Sequence, residues 1–141
     1  MKAVITGGAG FIGSHLTDLL LKNKISVTVI DNLYSGSLRN LTKAKTHKNF
    51  NFINGDITQY DDIEKYFDGA DWLFHLAGLA DIVPSIKNPT NYFDVNVKGT
   101  LNVLECSVKH NVKKFIYAAS SSSYGIPAEY PTPESSKINP Q

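Results

Sequence analysis

The sequence has a single cysteine, no strong charge of either sign and no long apolar run, and each lack excludes a class of protein. Cys106 alone cannot form an internal disulfide framework, which fits a reducing compartment such as the cytoplasm. A formal net charge of +1 gives no basic surface for nucleic acid or anionic membrane. The apolar runs are too short to cross a bilayer, and a strand starts directly after Met1, which leaves no room for a signal peptide. We therefore expect a cytoplasmic protein that binds neither nucleic acid nor membrane.

Short apolar runs alternate with helical or loop segments along a chain of 141 residues, 42% of which are hydrophobic. That length and composition suffice for one domain with a buried core. Such runs predict buried strands, and they occur at residues 3–5, 27–30, 50–53, 72–76 and 113–118. Their alternation with helices predicts an α/β fold, a Rossmann-type doubly wound parallel sheet with right-handed crossovers. Sheets of this type bind ligands beyond the carboxyl ends of their strands.

The segments between the strands predict helices of unequal strength. One covers residues 14–21, a weak one covers residues 38–44, and Thr58 can cap another that runs to about Phe67. Pro84 and Pro89 are expected to interrupt the next segment. A long amphipathic helix then covers residues 90–109, with an apolar stripe made of Phe93, Val97, Leu101, Leu104 and Val108. Because other apolar residues lie off the stripe, we expect this helix to be buried on more than one face; they are Val95, Val103 and Cys106.

A glycine-rich turn joins the first strand to the first helix. Gly8, Gly10 and Gly13 fit the pattern G-x-G-x-x-G, and Gly7 precedes them. Glycine allows a tight turn, lets the backbone approach a pyrophosphate and lets the helix pack closely on the sheet. The free N–H groups at the helix start and the helix dipole both favour phosphate there. The pattern is weak alone, but a strand precedes it and a helix follows it, which indicates a dinucleotide site.

Asp31, at the end of the second apolar run, lies at the spacing from the glycines that dinucleotide-binding folds use. A carboxylate there can accept hydrogen bonds from both ribose hydroxyls of the adenosine half of NAD. It would also repel a 2′-phosphate, and the neighbouring Asn32 adds no positive charge. NAD is therefore the predicted cofactor, in preference to NADP. No metal site is predicted.

Six motifs follow one another along the chain: Thr6-Gly7-x-x-Gly10-x-x-Gly13, Asp31-Asn32-Leu33, Gly55-Asp56-Ile57, His75-Leu76-Ala77-Gly78, Asn96-Val97-x-Gly99-Thr100 and Ser120-x-x-x-Tyr124-Gly125. Together they resemble the extended short-chain dehydrogenase/reductase family, and within it the NAD-dependent nucleotide-sugar epimerases and dehydratases. The resemblance covers the whole chain and is strongest to the UDP-glucose and UDP-N-acetylglucosamine 4-epimerases. It implies epimerisation of a nucleotide sugar at C4 through a transient 4-keto sugar.

The resemblance assigns a role to each motif. Asp56 is expected to hydrogen-bond the adenine, although it can also cap its own helix, and Asn96 is expected to brace the backbone near the cofactor. Ser120 matches the catalytic hydroxyl that hydrogen-bonds the reacting sugar, with Ser122 as a second substrate contact. His75 is expected to pack at its strand end rather than act as an acid or base. The residues expected to contact NAD are Gly7, Gly10, Phe11, Ile12, Gly13, Asp31, Asn32, Leu33, Ser35, Gly36, Asp56, Ile57, Leu76, Ala77, Gly78 and Asn96.

The family's catalytic tyrosine, with a lysine four residues after it, has no match in this sequence. None of the seven tyrosines is followed at that spacing by lysine. Residues 138–141 resemble the segment that leads into the tyrosine. The chain therefore resembles the N-terminal part of a longer enzyme: residues 1–141 of a Rossmann domain, without its last strands and without the substrate domain. We expect this part to be inactive by itself.

Two alternatives to an epimerase remain open at this point. Related dehydratases and decarboxylases share the fold, but they resemble one another in having acidic residues in the loop after the fifth strand. In this chain residues 120–123 of that loop are all serine, which favours an epimerase. A non-catalytic NAD-binding module would also lack the tyrosine and lysine. Enzymes similar to this one dimerise through the helix at residues 90–109, so the resemblance implies a homodimer with a nucleotide sugar as substrate.

Overall fold

One sheet of five parallel strands forms the centre of the computed structural model, which describes residues 1–140. The strands are β1 (Lys2–Thr6), β2 (Ser26–Asp31), β3 (Phe50–Asn54), β4 (Trp72–His75) and β5 (Lys114–Tyr117). Their order is β3-β2-β1-β4-β5, so the chain runs outward from β1 to one edge and then to the other. This reversal of direction between β1 and β4 is the doubly wound arrangement, and the predicted Rossmann-type fold is confirmed.

The helices lie between the strands in the sequence. The α-helices are α1 (Phe11–Lys22), α2 (Tyr60–Ile63), α3 (Ile82–Lys87), α4 (Pro89–Phe93) and α5 (Thr100–Lys109). Asp94–Gly99 form a π-helical turn between α4 and α5, and short 3₁₀ turns occur at Leu38–Leu41, Ala44–Thr46, Glu64–Phe67 and Ser121–Tyr124. Over the described residues, every helix falls short of the length and apolar character that a membrane crossing requires.

Two apolar clusters, one on each face of the sheet, hold these elements together. Alternate residues of a strand point to opposite faces, so Ile5 of β1 joins one cluster and Val4 joins the other. α1 covers the first cluster through Leu20, and α5 covers the second through Val103. Because the sheet is covered on both faces, its strands are continuous apolar runs in the sequence.

Two local predictions are wrong. Thr58 does not cap a helix: α2 begins only at Tyr60, and the Thr58 backbone N–H donates to Oδ1 of Asp56 at 2.8 Å. Asp56 therefore closes a turn ahead of the helix instead of capping it. The weak helix predicted at residues 38–44 is replaced by the 3₁₀ turns Leu38–Leu41 and Ala44–Thr46. These turns bury one apolar side chain each against the first cluster, which a short segment can do without a regular helix.

The prediction for the two prolines is right for one of them. The helical segment breaks at Asn88, and Pro89 begins α4, whereas Pro84 lies in the first turn of α3, where its missing N–H has no helical partner to lose. The helix predicted at residues 90–109 is present as one continuous helical stretch, but its π turn was not predicted. At the end of that turn Gly99 packs so closely on Ile57 that a Cβ would lie 2.7 Å from the Ile57 side chain.

The apolar stripe of the long helix faces solvent. The off-stripe residues Val103 and Cys106 are fully buried instead. Burial raises the pKa of the Cys106 thiol to about 11, so this cysteine is a packed and protonated group. The helix thus has two apolar faces, and the larger one is uncovered in the chain. The exposed fractions along the stripe are Phe93 59%, Val97 53%, Leu101 54%, Leu104 40% and Val108 78%.

β5 forms one edge of the sheet, because within residues 1–140 it pairs only with β4. Two lysines, Lys113 and Lys114, stand at the start of this edge strand, and Nζ of Lys113 donates to Oδ1 of Asp71 at 2.6 Å. Ile116 and Tyr117, near its end, have large exposed apolar surfaces. The strand is therefore charged at one end and apolar at the other.

Candidate functional site

The turn between β1 and α1 depends on its glycines. Gly7 has a φ of +73°, and a Cβ on it would lie 2.5 Å from the backbone nitrogen of Ala77. A Cβ on Gly13 would lie 2.4 Å from the Gly7 carbonyl oxygen, so α1 packs directly on the turn. A Cβ on Gly10 would have only the Gly7 carbonyl oxygen near it, at 3.3 Å, so the backbone at Gly10 can be approached closely. Gly8 faces a side chain of β2 and takes no part in the opening.

The start of α1 can hold an anion through its backbone. Gly10 is the N-cap residue, and no side chain caps the helix or places a carboxylate in its first turn. The N–H groups of Phe11 and Ile12 therefore have no partner from a cap, and the positive end of the helix dipole is not neutralised. Both side chains point to solvent, with 79% and 65% exposed, so these residues offer backbone contacts rather than side-chain contacts.

Asp31 is fixed by two backbone N–H groups beside it. Ala9 N donates to Oδ2 at 2.9 Å, and Leu33 N donates to Oδ1 at 2.8 Å. Gly36 passes so close that a Cβ there would lie 2.9 Å from Oδ1. Each carboxylate oxygen can accept a second hydrogen bond. Asp31 lines the cleft at the ends of the strands, so it can still accept two hydroxyl groups from a ligand.

Asp56 is held in a similar way after β3. Its Oδ1 accepts from Thr58 N at 2.8 Å, and its Oδ2 accepts from Nδ2 of Asn32 at 2.9 Å. Burial by itself would raise the pKa of Asp56, but the hydrogen bonds from Thr58 and Asn32 outweigh it and leave the pKa below its ordinary value. The carboxylate is therefore ionised at neutral pH. Asn32, predicted as a cofactor contact, also positions Asp56.

These groups meet in one cleft of about 200 Å³ at the carboxyl ends of the strands. Residues that no motif marks also line it, among them Asn91 and Val95 from the long helix and Tyr34 in the loop after β2. The sequence could have indicated Tyr34 as a cleft residue, because it lies between the predicted contacts Leu33 and Ser35. The predicted NAD contacts that line the cleft are Gly7, Gly10, Asp31, Asn32, Ser35, Gly36, Asp56, Ile57, Leu76, Ala77 and Gly78.

Other predicted contacts lie next to the cleft without lining it: Phe11, Ile12, Gly13, Leu33 and Asn96. Leu33 has a φ of +61° and packs against the apolar cluster around Ile5, so it shapes the loop. Asn96 influences the first cleft through the backbone of Leu79. Its Oδ1 accepts from Leu79 N at 2.8 Å, and its Nδ2 donates to Leu79 O at 2.9 Å. This contact braces a backbone segment that lines the cleft.

A second cleft adjoins the first beyond the ends of β4 and β5, and residues 76–79 line both. Ser120 and Ser122 line the second cleft. Oγ of Ser120 accepts from Ser122 N at 3.1 Å and lies 3.0 Å from Oγ of Ser122. The predicted catalytic and substrate residues therefore lie beside the predicted NAD contacts.

The second cleft offers few ionisable side chains. Among the described residues that line it, these are Asp81, Tyr92 and Tyr117. Burial raises the pKa of Tyr92 above its ordinary value, and the charge of Asp81 raises it further. Tyr92 therefore stays protonated at neutral pH and is not available to accept a proton. Residues 1–140 contain no group of His, Cys, Asp and Glu side chains arranged to hold a metal ion.

His75 is packed at the end of β4, as the sequence predicts. Its side chain is buried, and its ring stacks on Tyr117 with 5.6 Å between centroids. Burial lowers the pKa of His75 to about 4, so the imidazole is neutral at neutral pH. Each ring nitrogen is within hydrogen-bond distance of a threonine hydroxyl, Thr6 on one side and Thr100 on the other.

The fold and the cleft define an α/β protein with a dinucleotide-type site where the strand order reverses. A glycine turn at a helix start and an acidic residue at the next strand end are the two parts of such a site. The family model of the NAD dependent epimerase/dehydratase family matches residues 3–141. The chain belongs to this family.

Known proteins of this kind are similar to the chain over nearly its whole length. The bifunctional UDP-glucose 4-epimerase and UDP-xylose 4-epimerase 1 of Pisum sativum is 38% identical, over 97% of this chain and 41% of the relative. The structure of a UDP-N-acetylglucosamine 4-epimerase from Methanobrevibacter ruminantium M1, in complex with UDP-N-acetylmuramic acid, is 38% identical with a TM-score of 0.87, over 99% of this chain and 44% of that one. The structure of a dTDP-glucose 4,6-dehydratase from Streptomyces venezuelae, with NAD bound, has a TM-score of 0.89 and 31% sequence identity. The match covers 99% of this chain and 46% of the dehydratase chain. The chain thus spans less than half the length of these proteins.

Proposed function

We propose that this chain is the NAD-binding part of a longer cytoplasmic enzyme that epimerises a nucleotide sugar, a UDP-hexose, at C4. Residues 1–141 would form the incomplete Rossmann domain, and the rest of the enzyme would supply the substrate domain. The observation that carries the proposal is the fixed carboxylate of Asp31 beside the glycine turn, in a cleft that continues to Ser120. The similarity to UDP-sugar 4-epimerases supports the same assignment.

The residues present fit NAD. The open approach at Gly10 and the N–H groups of α1 suit a pyrophosphate. Asp31 can accept from the ribose hydroxyls, Asp56 can accept from the adenine, and residues 76–78 line the end of the cleft that would hold the nicotinamide. When bound, NAD would supply the hydride acceptor and later the hydride donor for C4 of the sugar.

Ser120 would orient the reacting sugar hydroxyl. Ser122 N donates to its oxygen and its own hydroxyl donates to Oγ of Ser122, so one lone pair of Ser120 is left to accept from the sugar, and the sugar oxygen could replace Ser122 as the acceptor of the hydroxyl proton. Ser122 would give a second contact from the same turn. A serine hydroxyl is a weak base, so these two residues position the substrate rather than remove its proton. The proton acceptor would come from the part of the enzyme that follows these residues.

A nucleotide-sugar 4,6-dehydratase is the second candidate, because one similar structure is such an enzyme. The serine-only loop at residues 120–123 favours the epimerase, since it offers no carboxylate to remove or deliver a proton at other sugar carbons. Product analysis of the full-length enzyme with UDP-glucose distinguishes the two. The expected product is UDP-galactose, and a 4,6-dehydrated product would overturn the epimerase assignment.

The choice of NAD over NADP is expected to depend on Asp31. The Asp31→Ala variant should bind NAD roughly 10- to 100-fold more weakly, because a hydrogen bond to a charged group contributes about 1.5–3 kcal/mol. It should also lose its discrimination against NADP, since the 2′-phosphate would no longer meet a carboxylate. Isothermal titration with both cofactors measures the two effects.

Asp56→Ala is the matched control for this prediction. Asp56 is a second carboxylate held at the neighbouring strand end, so its loss should weaken NAD and NADP by similar factors. The ratio of the two affinities should therefore change only in the Asp31 variant. A wild-type preference for NADP would show that the role given to Asp31 is wrong.

We further propose that the enzyme is a homodimer joined through the exposed apolar stripe of the long helix. All five residues of the stripe are exposed, and Phe93, Leu101 and Val108 place apolar surface at its two ends and its middle. A contiguous apolar face of this kind is typical of an interface between subunits. In a two-fold dimer each residue is buried twice, once in each subunit.

Leu101→Asp is expected to raise the dissociation constant of the dimer by at least about 100-fold, because two copies of a leucine side chain lose their burial. Sedimentation equilibrium of the full-length protein measures this. Leu19→Asp is the control, since Leu19 is 55% exposed on α1 outside the stripe. A wild-type protein that stays monomeric at high concentration would contradict the dimer.

A further inference from the structure

A chain of hydrogen bonds links the ends of β1 and β4 to the long helix. Oγ1 of Thr6 lies 2.6 Å from Nδ1 of His75, and Nε2 of His75 lies 2.9 Å from Oγ1 of Thr100. Oγ1 of Thr100 in turn donates to the carbonyl oxygen of Asn96 at 2.7 Å. Thr6 and His75 are almost completely buried, so these groups have no exposed surface through which water could replace a missing partner.

Only one placement of the protons satisfies all of these hydrogen bonds. A hydroxyl has a single proton, and the Thr100 proton is directed to the Asn96 carbonyl. Thr100 must therefore accept from His75, so Nε2 carries the ring proton. Nδ1 is then unprotonated and accepts from the Thr6 hydroxyl. The opposite tautomer would leave the Thr6 proton without an acceptor and would turn the Thr100 proton toward Nε2, so Oγ1 of Thr100 and the carbonyl oxygen of Asn96 would lie 2.7 Å apart with no proton between them.

The carbonyl at the end of this chain belongs to the π turn. Asp94–Gly99 depart from regular α-helical hydrogen bonding, and Asn96 lies within that turn. The side chain of Asn96 bonds both the N–H and the carbonyl of Leu79, which lines both clefts. The backbone of Asn96 is thus held by Thr100, and its side chain holds the loop after β4.

We propose that His75 is a positioning residue which, as the Nε2–H tautomer, fixes the Thr100 hydroxyl and through it the turn from which Asn96 holds Leu79 at the cleft. The proposal rests on the proposed function only where it concerns NAD, the ligand for which Leu79 would be held. It gives the buried histidine of the strand end a role in shaping the site without contact to substrate or cofactor.

The test compares two isosteric variants that each remove one hydroxyl from the same ring. In Thr100→Val the Nε2–H group loses its acceptor, so the Nδ1–H tautomer, which can donate to Thr6, should become populated. In Thr6→Val the Nε2–H group keeps its acceptor, so the tautomer should stay as in the wild type. Long-range ¹H–¹⁵N NMR spectra of the imidazole in the protein distinguish the two tautomers.

The effect on the cleft is measured separately by hydrogen exchange of the Leu79 amide. Its protection should fall in Thr100→Val and stay near the wild-type value in Thr6→Val. NAD affinity should fall by about threefold to tenfold in Thr100→Val, as for the loss of one hydrogen bond, and Thr100→Ser should restore it to within about twofold.

An Nδ1–H tautomer in the wild type, or equal loss of Leu79 protection in both valine variants, would overturn the positioning role. The tautomer and the exchange rates are measured without NAD. A wild-type protein that shows them as expected but binds no NAD would therefore refute the proposed function and leave the positioning role supported.

Discussion

The 141-residue chain by itself is expected to bind NAD but to epimerise UDP-sugars slower than the full-length enzyme by a factor of roughly 10²–10⁴ or more. Loss of a positioned proton acceptor alone has an effect of that size. Loss of the substrate domain lowers the rate further, because the sugar is no longer held with its C4 oriented for reaction. The groups that would contact NAD lie within residues 1–140, so binding is expected to persist.

The structure explains why no residue near Ser120 can substitute for the missing acceptor. Tyr92 lines the same cleft, but its raised pKa keeps it protonated, so it cannot readily take a proton from the sugar. His75 is near in sequence to the cleft residues, but it is buried and both ring nitrogens are engaged by threonines. Ser120 itself has only another serine beside its hydroxyl.

The assay is 4-epimerisation of UDP-glucose with added NAD, run on residues 1–141 and on the full-length enzyme at equal concentration. NAD titration of both samples is the control that separates lost chemistry from lost binding. Comparable turnover in the two samples would place the proton acceptor within this chain. In that case Tyr92→Phe should abolish turnover, and the proposed need for a later tyrosine and lysine would be wrong.

The free energy of unfolding is expected to fall by roughly 3 kcal/mol, from His75 alone, as the pH drops from above 6.5 to about 4. The pKa of the folded-state imidazole is lowered by burial to about 4, whereas the unfolded chain titrates near 6.5. Between these values the unfolded state binds a proton that the folded state does not, so stability declines as the pH falls. Above 6.5 both states are neutral and the contribution is complete.

Denaturant unfolding at several pH values measures this effect, with His75→Gln as the control. Glutamine is close in size and keeps an N–H donor toward Thr100, but it does not titrate. Carboxylates that titrate in the same range act in both proteins, so the difference in slope belongs to His75. If the two proteins lose stability in parallel as the pH falls, the pKa of His75 in the folded state is not lowered and the prediction is wrong.

The strands could be predicted from the sequence because of how parallel sheets are buried. Both faces of β1 and β4 are covered, so nearly every residue in them is apolar and the runs stand out without any periodicity. The position of the site could also be predicted, because the carboxyl ends of parallel strands lie at one edge of the sheet. Asp31 and Asp56 therefore reached one cleft, as the motifs imply.

The long helix shows where sequence reasoning ends. Its periodicity indicates two apolar faces, but it does not say which one packs on the sheet. The narrower face with Val103 and Cys106 does so, together with the polar Asn102, whose Nδ2 donates to Ile57 O at 2.8 Å. The π turn also has no signal in helix propensity, because it arises where Gly99 packs on Ile57. The cleft residues Asn91 and Val95 were missed for the same reason, since tertiary packing alone brings that helix to the cleft.

The uncovered edge of β5 bears on how the isolated chain behaves in concentrated solution. Backbone N–H and carbonyl groups along such an edge can pair with a strand from another molecule, as in edge-to-edge aggregation. Lys113 and Lys114 oppose this pairing at the start of the strand, because lysine side chains on an edge strand disfavour the addition of another strand. The apolar end with Ile116 and Tyr117 has no such protection. Strand addition between copies should therefore begin at that end, and a lysine introduced at Ile116 would suppress it.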